Sequence, residues 1–379
     1  MVPLKQRMTT IKVGMTTVEH RAAWSSVNAP LLECNLCPHH CLIGEGKVGR
    51  CRTRGAVAGA LVALNYGRVC AQALDQIEKK PVYHYQPGSK LLSIGTFGCN
   101  LDCDCCQNAA LASAAAEEVE CPRRSPEEMV SLALGKEVQG IAFTFNEPIV
   151  WFEFVMDTAH AARDAGLYTM MNSNGFIEAA PLRQLMKVVD VFNVDVKGFR
   201  DEFYVKHCGG SLAPVLRTCE RISEQGKHLE LAYLIIPGLN DSTEELEGFF
   251  DWVIGKLGNW VPVHLYRFMP AYRLSHLPPT DMSVLRTAKS MARCKGLDFV
   301  YISGMVEEEE HSTACPRCGL IAIEREAKEG AEKVAFGGGG LSKFCPSYSD
   351  IIDRTEHGRC IRCGHIIYRN NKITASKRH

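Results

Sequence analysis

Cys99, Cys103 and Cys106 stand at Cys-x3-Cys-x2-Cys spacing within Gly98-Cys99-Asn100-Leu101-Asp102-Cys103-Asp104-Cys105-Cys106-Gln107-Asn108. Thiolates so close along the chain can converge on one metal centre. A four-iron cluster usually takes four cysteines, so three leave one iron with an open position, much as a catalytic zinc site keeps one position for substrate. Cys105 lies inside the same motif and could compete as a ligand. A structural zinc knuckle is the plainer alternative, and it leaves the polar loops farther along the chain unexplained.

Two other groups have ligand spacing. Cys34-Asn35-Leu36-Cys37, Cys41 and Cys51 are interleaved with Gly44, Gly46 and Gly49, which supply turns that bring separated ligands together. Four thiolates suit zinc or an auxiliary iron–sulfur cluster. The turns and charges of a small folded module incline the reading to zinc, with His39 and His40 as polar neighbours. Near the C-terminus, Cys315-Pro316-Arg317-Cys318-Gly319 and Cys360-Ile361-Arg362-Cys363-Gly364 have the composition of a zinc ribbon, although a long insert containing Cys345 separates the knuckles. The basic residues over 366–379 read as a solvated tail. Cys70, Cys121, Cys208, Cys219 and Cys294 are isolated and read as small buried hydrophobes.

Eighteen cysteines would suggest a disulfide scaffold in a short secreted chain. Here they lie in 379 residues with no apolar stretch long enough for a signal peptide or a membrane span, so metal binding and a cytoplasmic location are expected. Lys plus Arg and Asp plus Glu both number 43, which removes any global attraction to nucleic acid or an anionic membrane.

The elements that must position these residues come from apolar runs at Leu91–Thr96, Gly140–Thr144, Leu167–Met171, Val189–Val196, His228–Ile236, Val261–Tyr266 and Leu297–Ile302, which predict strands. Helical spacing over Ile149–Ala165 and capping signals opening Asp241–Lys256 and Asp281–Lys295 predict helices between them. Strand–helix alternation implies an α/β fold with a parallel sheet, read here as a partial or full β/α barrel. In such barrels the chemistry sits on loops after the strands. Cys99 to Cys106 follow the first strand, Asn146-Glu147-Pro148 the second, Asn172-Ser173-Asn174-Gly175 the third and Asp195-Val196-Lys197 the fourth, so they should share one mouth. His264 and Arg267, near the end of the sixth strand, are weaker candidates to face a substrate. The expected division is a lead-in over 1–30, an N-terminal Cys-rich module over 31–89, the barrel over 90–305 and a zinc-ribbon-like tail over 306–379. An acidic run (Glu307 to Glu310) and four glycines (Gly337 to Gly340) interrupt the pattern beyond the last strand.

The three-cysteine motif at the end of a first barrel strand resembles the signature of the radical S-adenosylmethionine (SAM) superfamily. The resemblance implies a [4Fe-4S] cluster on Cys99, Cys103 and Cys106, whose open iron chelates SAM and cleaves it reductively to a 5′-deoxyadenosyl radical that takes hydrogen from a substrate. One departure is Cys105, where an aromatic residue is common; the set Cys99, Cys103 and Cys105 breaks the superfamily's usual spacing, so the resemblance implies Cys106 as the third ligand and leaves Cys105 as a packing residue. Thr144-Phe145-Asn146-Glu147-Pro148 resembles the motif that contacts the SAM amino group, for which an anionic Glu147 is suited. The segments holding Asn172 and Asn174, and Asp195 and Lys197, resemble those that hold the ribose hydroxyls and the SAM carboxylate.

Cys34 to Cys41, Gly67-Arg68, Ile77 to Pro81, Pro87-Gly88-Ser89, Glu202-Phe203-Tyr204, Ile236 to Asp241, Tyr266 to Pro270 and Leu277 to Thr280 make the chain similar to the AmmeMemoRadiSam system radical SAM enzymes. That family is described as similar to pyruvate formate-lyase activating enzymes, which abstract a hydrogen from a glycine in a partner protein. The resemblance implies an electron donor of flavodoxin or ferredoxin type, a protein substrate, and Memo-type and AMMECR-type partners. A small-molecule or peptide-modifying enzyme is the alternative within the class. A metal-stabilised protein- or nucleic-acid-binding module is the alternative outside it.

Overall fold

A computed structural model of the chain describes residues 20–303, 311–327, 334–335, 341–342 and 348–368. Glu307 to Glu310, Gly337 to Gly340, Cys345, residues 1–19 of the lead-in and the basic tail beyond residue 368 lie outside the described residues.

The core is an eight-stranded sheet of β1 (Ala71–Gln76), β2 (Lys90–Gly95), β3 (Gly140–Phe143), β4 (Tyr168–Ser173), β5 (Val191–Val196), β6 (His228–Ile235), β7 (Val263–Arg267) and β8 (Val300–Ser303). The strands lie side by side in chain order, β2 to β8 mutually parallel and β1 antiparallel to β2. Strands β2 to β8 match the seven predicted runs because both faces of a parallel sheet are covered and the sequence stays apolar throughout. The row ends at β1 and β8, so the pairing describes an open sheet rather than a closed barrel. Strand β1 falls inside the expected N-terminal module but belongs to the core sheet. Its Gln72 and Leu74 face solvent, as suits an edge, and so its sequence lacks a continuous apolar run.

Helices α1 (Pro126–Gly135), α2 (Phe152–Asp164), α3 (Ala179–Val188), α4 (Leu212–Glu224), α5 (Thr243–Trp252) and α6 (Met282–Lys295) alternate with the strands. The starts follow capping chemistry. Ser125 and Glu128 form a reciprocal box at α1, while Ser242 and Asp281 accept the first free amides of α5 and α6. Pro148 opens a 3-10 turn, Pro148–Trp151, that leads into α2, which therefore starts three residues later than its predicted apolar spacing.

The polar residues inside the sheet have one explanation. Asn172 of β4 is in register with Asn193 of β5, which is in register with Glu230 of β6, so the three share a face. Asn172 Nδ2 donates to the Lys80 carbonyl at 3.2 Å and Asn193 Nδ2 to the Pro81 carbonyl at 2.8 Å. The Glu230 carboxylate accepts from the Tyr83 amide (2.9 and 3.0 Å) and the His84 amide (2.7 Å). The segment from Lys80 to His84 is thus strapped across the sheet, and its buried backbone is satisfied by side chains rather than a strand partner. His264 belongs to this network and not to a substrate: its Nε2 donates to Glu230 at 2.7 Å and its ring stacks on Tyr301. Arg267 donates from Nε to the Thr280 carbonyl at 2.9 Å, and neither residue lines the cavity at the strand ends described below.

Two small modules flank the core. Residues of the expected lead-in pair with the first: Ser25–Asn28 with Leu31–Cys34, and His20–Arg21 with Ala60–Ala63. Arg54 fastens it to α2 through a buried 2.6 Å ion pair with Glu153. The second module pairs Ile321–Ala327 with Tyr348–Asp353 and sits over the strap. Its buried Arg325 donates to the Tyr83 carbonyl at 2.7 Å and to Glu78 at 3.4 Å, with its guanidinium 4.3 Å from the Tyr83 ring centre. The Ile367 carbonyl accepts from His84 Nδ1 at 2.7 Å.

Of the five isolated cysteines, Cys208 and Cys219 are buried as expected. Cys294 is exposed. Cys70 and Cys121 form a disulfide, because the Arg68–Arg123 bridge and the bond from the Val69 amide to the Pro122 carbonyl bring the two stretches together. No helix among the described residues is long and apolar enough to cross a membrane.

Candidate active site

The loops after β2, β3, β4 and β5 surround a cavity of about 320 Å³. Cys99, Cys103 and Cys106, Asn146 and Glu147, Asn172 and Asn174, and Asp195 and Lys197 all line it, and so does Cys105. The order of strands in the sheet accounts for this convergence, since successive parallel strands deliver successive loops to one end.

The cysteine loop is held from several sides. Asn146 donates from Nδ2 to the Gly98 carbonyl at 2.9 Å and accepts at Oδ1 from the Thr96 amide at 3.0 Å. Asn174 donates to Asn100 Oδ1 at 2.9 Å, lies 3.7 Å from Cys99 Sγ and accepts from the Phe176 amide. These two amides are therefore committed to positioning the loop. At Gly98 the backbone has φ of 84°, and a Cβ would lie 2.5 Å from the Cys51 carbonyl oxygen, so only glycine lets the N-terminal module approach so closely. Sequence reasoning missed the outer clamp: Arg273 binds Asp102 (3.0 Å) and Asp104 (3.0 Å), and His207 binds Asp104 (3.0 Å). Cys208, read from sequence as a buried hydrophobe, also touches the cysteine loop. Its contact with Cys103, together with burial, pushes the Cys103 thiol up. Burial pushes Cys106 up to about 11, so loading a metal here must displace protons from thiols.

Glu147 accepts from the Asn174 amide (2.7 Å), the Ser173 hydroxyl (2.8 Å) and the Ile149 amide (3.0 Å). Burial nonetheless pushes its carboxyl up to about 7, and a cation set against it would draw the proton off. Lys197 Nζ lies 2.6 Å from Asp195 Oδ2. Burial works to lower Lys197, but Asp195 and the neighbouring thiols hold it well above the ordinary lysine value. Asn172 lines the cavity, and its side-chain oxygen is buried with no hydrogen-bond partner. Phe145, at φ of 74°, occupies a backbone region rare for bulky residues, and its ring lies 4.9 Å from Lys80 Nζ. No sequence signal marks that conformation.

The donor set fits an iron–sulfur cluster with an open position: three cysteine sulfurs border a cavity that also carries a carboxylate, an ammonium and an unpaired acceptor. In the C-terminal module, the sulfurs of Cys315, Cys318, Cys360 and Cys363 all lie within 4.8 Å of one another, with two pairs at 3.6 Å. Cys34, Cys37, Cys41 and Cys51 border a separate, smaller void in the N-terminal module. His39 also lines that void and bonds the Asn100 carbonyl at 2.7 Å, whereas half-exposed His40 turns to Glu33 and Glu178.

The family model for the radical SAM superfamily matches residues 93–253, which begin in β2 and contain all four strand-end loops. Residues 93–253 form a radical SAM domain. A protein of Methanocaldococcus jannaschii, the uncharacterized protein MJ0808, is 40% identical over 294 residues, which cover 78% of this chain and 87% of that one. The pyruvate formate-lyase 1-activating enzyme of Escherichia coli is 25% identical over 107 residues, 28% of this chain and 44% of its own. The (2S)-3-sulfopropanediol dehydratase activating enzyme of Klebsiella oxytoca is 23% identical over 131 residues, 34% and 41% of the two chains. This radical SAM chain thus spans less than half the length of the activating enzymes it matches. Such a domain implies a [4Fe-4S] cluster and SAM binding.

Proposed function

We propose that this radical SAM chain is an activating-type enzyme that uses the strand-end cavity to generate a radical and abstract hydrogen from a partner protein. The observation that carries the proposal is the convergence of the cysteine triad, Glu147, Asn172, Asp195 and Lys197 on one cavity. When bound there, the cluster and SAM supply reductive carbon–sulfur cleavage, giving methionine and a 5′-deoxyadenosyl radical.

The chain's own residues do the rest. Cys99, Cys103 and Cys106 hold the cluster and leave one iron open. Glu147 receives the SAM ammonium, and Lys197, kept cationic by Asp195, receives its carboxylate. Asp195 and the free Asn172 oxygen accept from ribose hydroxyls. Asn146 and Asn174 act as positioning residues for the cysteine loop. The strap excludes water from the floor. Zinc on the tail quartet fits sulfurs drawn this close, since a zinc ion about 2.3 Å from each ligand sets them ~3.8 Å apart.

Replacing Lys197 with Met should raise the SAM dissociation constant at least about tenfold, a loss of ~1.4 kcal/mol, while iron content stays at the wild-type value. Equilibrium binding on the anaerobic holoenzyme reads this directly. Unchanged affinity would remove Lys197 from the SAM site. The activating role is tested by incubating the holoenzyme, SAM and a flavodoxin-type donor with candidate partners, Memo-type and AMMECR-type proteins first. A glycyl doublet in electron paramagnetic resonance is expected. Deoxyadenosine formation with no such signal from any partner points instead to a small-molecule or peptide substrate.

A further inference from the structure

We infer that Cys34, Cys37, Cys41 and Cys51 hold a second [4Fe-4S] cluster rather than zinc. The inference rests on the module's own geometry and is independent of what binds in the strand-end cavity.

The size of the space between the sulfurs discriminates the two metals. Zinc holds four sulfurs ~3.8 Å apart, near their contact distance, and leaves no room among them for a water-sized sphere. The tail quartet has that form, with its sulfurs within 4.8 Å of one another. Among the described residues no three of the module's sulfurs are drawn so close. They instead border, together with Leu36, His39 and Ile43, a partly open void of about 10 Å³. Sulfurs set farther apart than zinc holds them suit a core wider than a single ion.

The surroundings suit a cluster too. Arg50 and Arg54 line the void and offset the negative charge of four thiolates, and the Thr53 hydroxyl donates to Cys51 Sγ at 3.2 Å. Four cysteines fill every iron, so this centre has no open position and is not a second SAM site. It lies beside the first: the Cys51 carbonyl packs on Gly98, and Asn100 lines the void while its side chain holds Asn174 near Cys99.

The test uses the full chain carrying Cys99→Ser, Cys103→Ser and Cys106→Ser, reconstituted anaerobically with iron, sulfide and equimolar zinc. About four iron atoms per chain, one zinc, and a reduced-cluster signal in electron paramagnetic resonance are expected. Adding Cys34→Ser and Cys37→Ser should remove that iron and leave the zinc. Two zinc ions and no iron in the triple variant would overturn the inference. If the triple variant fails to fold, the wild type decides: about eight iron atoms with one zinc supports the second cluster, and four with two zinc ions refutes it.

Discussion

Anaerobically reconstituted Cys106→Ala protein is expected to release no deoxyadenosine from SAM, whereas Cys105→Ala protein releases it at close to the wild-type rate. Both side chains border the cavity, so proximity does not separate them. The turn between them does. The Cys106 amide donates to the Cys103 carbonyl at 3.1 Å, closing a short turn that carries Cys103 and Cys106 together. Cys105 is buried among apolar neighbours in the main core, where a thiol behaves as a small hydrophobe. Losing even an outer-shell partner of a metal site costs roughly 10- to 100-fold in affinity or activity, and losing one of three ligands should exceed that. Deoxyadenosine and bound iron, measured together, give the answer. If Cys105→Ala is the inactive variant, the ligand set is Cys99, Cys103 and Cys105 and the spacing argument fails.

Glu230→Gln should be the most destabilising single change outside the cysteines. The Glu230 carboxylate takes the Tyr83 and His84 amides, His228 (2.9 Å) and His264 (2.7 Å), all of them donors. An amide in its place turns an NH2 group toward at least one of those donors, whichever way it is flipped. Breaking a buried charged network by removing one partner costs about 3–5 kcal/mol. A fall of several degrees in the thermal midpoint, with faster proteolysis near Tyr83, is expected, and an unchanged midpoint would show the network to be dispensable. The same group sets an acid limit. Burial works to raise the Glu230 pKa, but its histidine donors hold it well below the ordinary range. A depressed folded-state value contributes stability that is present above the unfolded value of about 4.3 and is lost as pH falls through the folded one. Wild-type stability should therefore decline below about pH 4, and the Gln variant should lack that part of the decline.

The parallel strands were legible because a sheet covered on both faces writes itself as uninterrupted apolar runs, as in Val261 to Tyr266. The cysteine triad was legible because its ligands are local. What escaped was set by distant partners. His264 looks the same in sequence whether it meets a substrate or Glu230, 34 residues away. Asp102 and Asp104 are ordinary loop acids until Arg273 reaches them from about 170 positions on. Cys70 and Cys121, 51 residues apart, show no spacing that pairs them. Strand β1 was hidden by its place: an alternating edge segment beside a cysteine module reads as part of that module.

The strap joins two ends of the molecule that sequence alone keeps apart. Lys80 and Pro81 are wall residues of the reaction cavity, and two positions later Tyr83 is gripped by Arg325 of the tail. The shape of the radical chamber and the seating of the tail are accordingly one mechanical variable. A lesion that unseats the tail works like a loosened floorboard under the chemistry, and inactivation by such a lesion carries no information about whether the tail meets substrate.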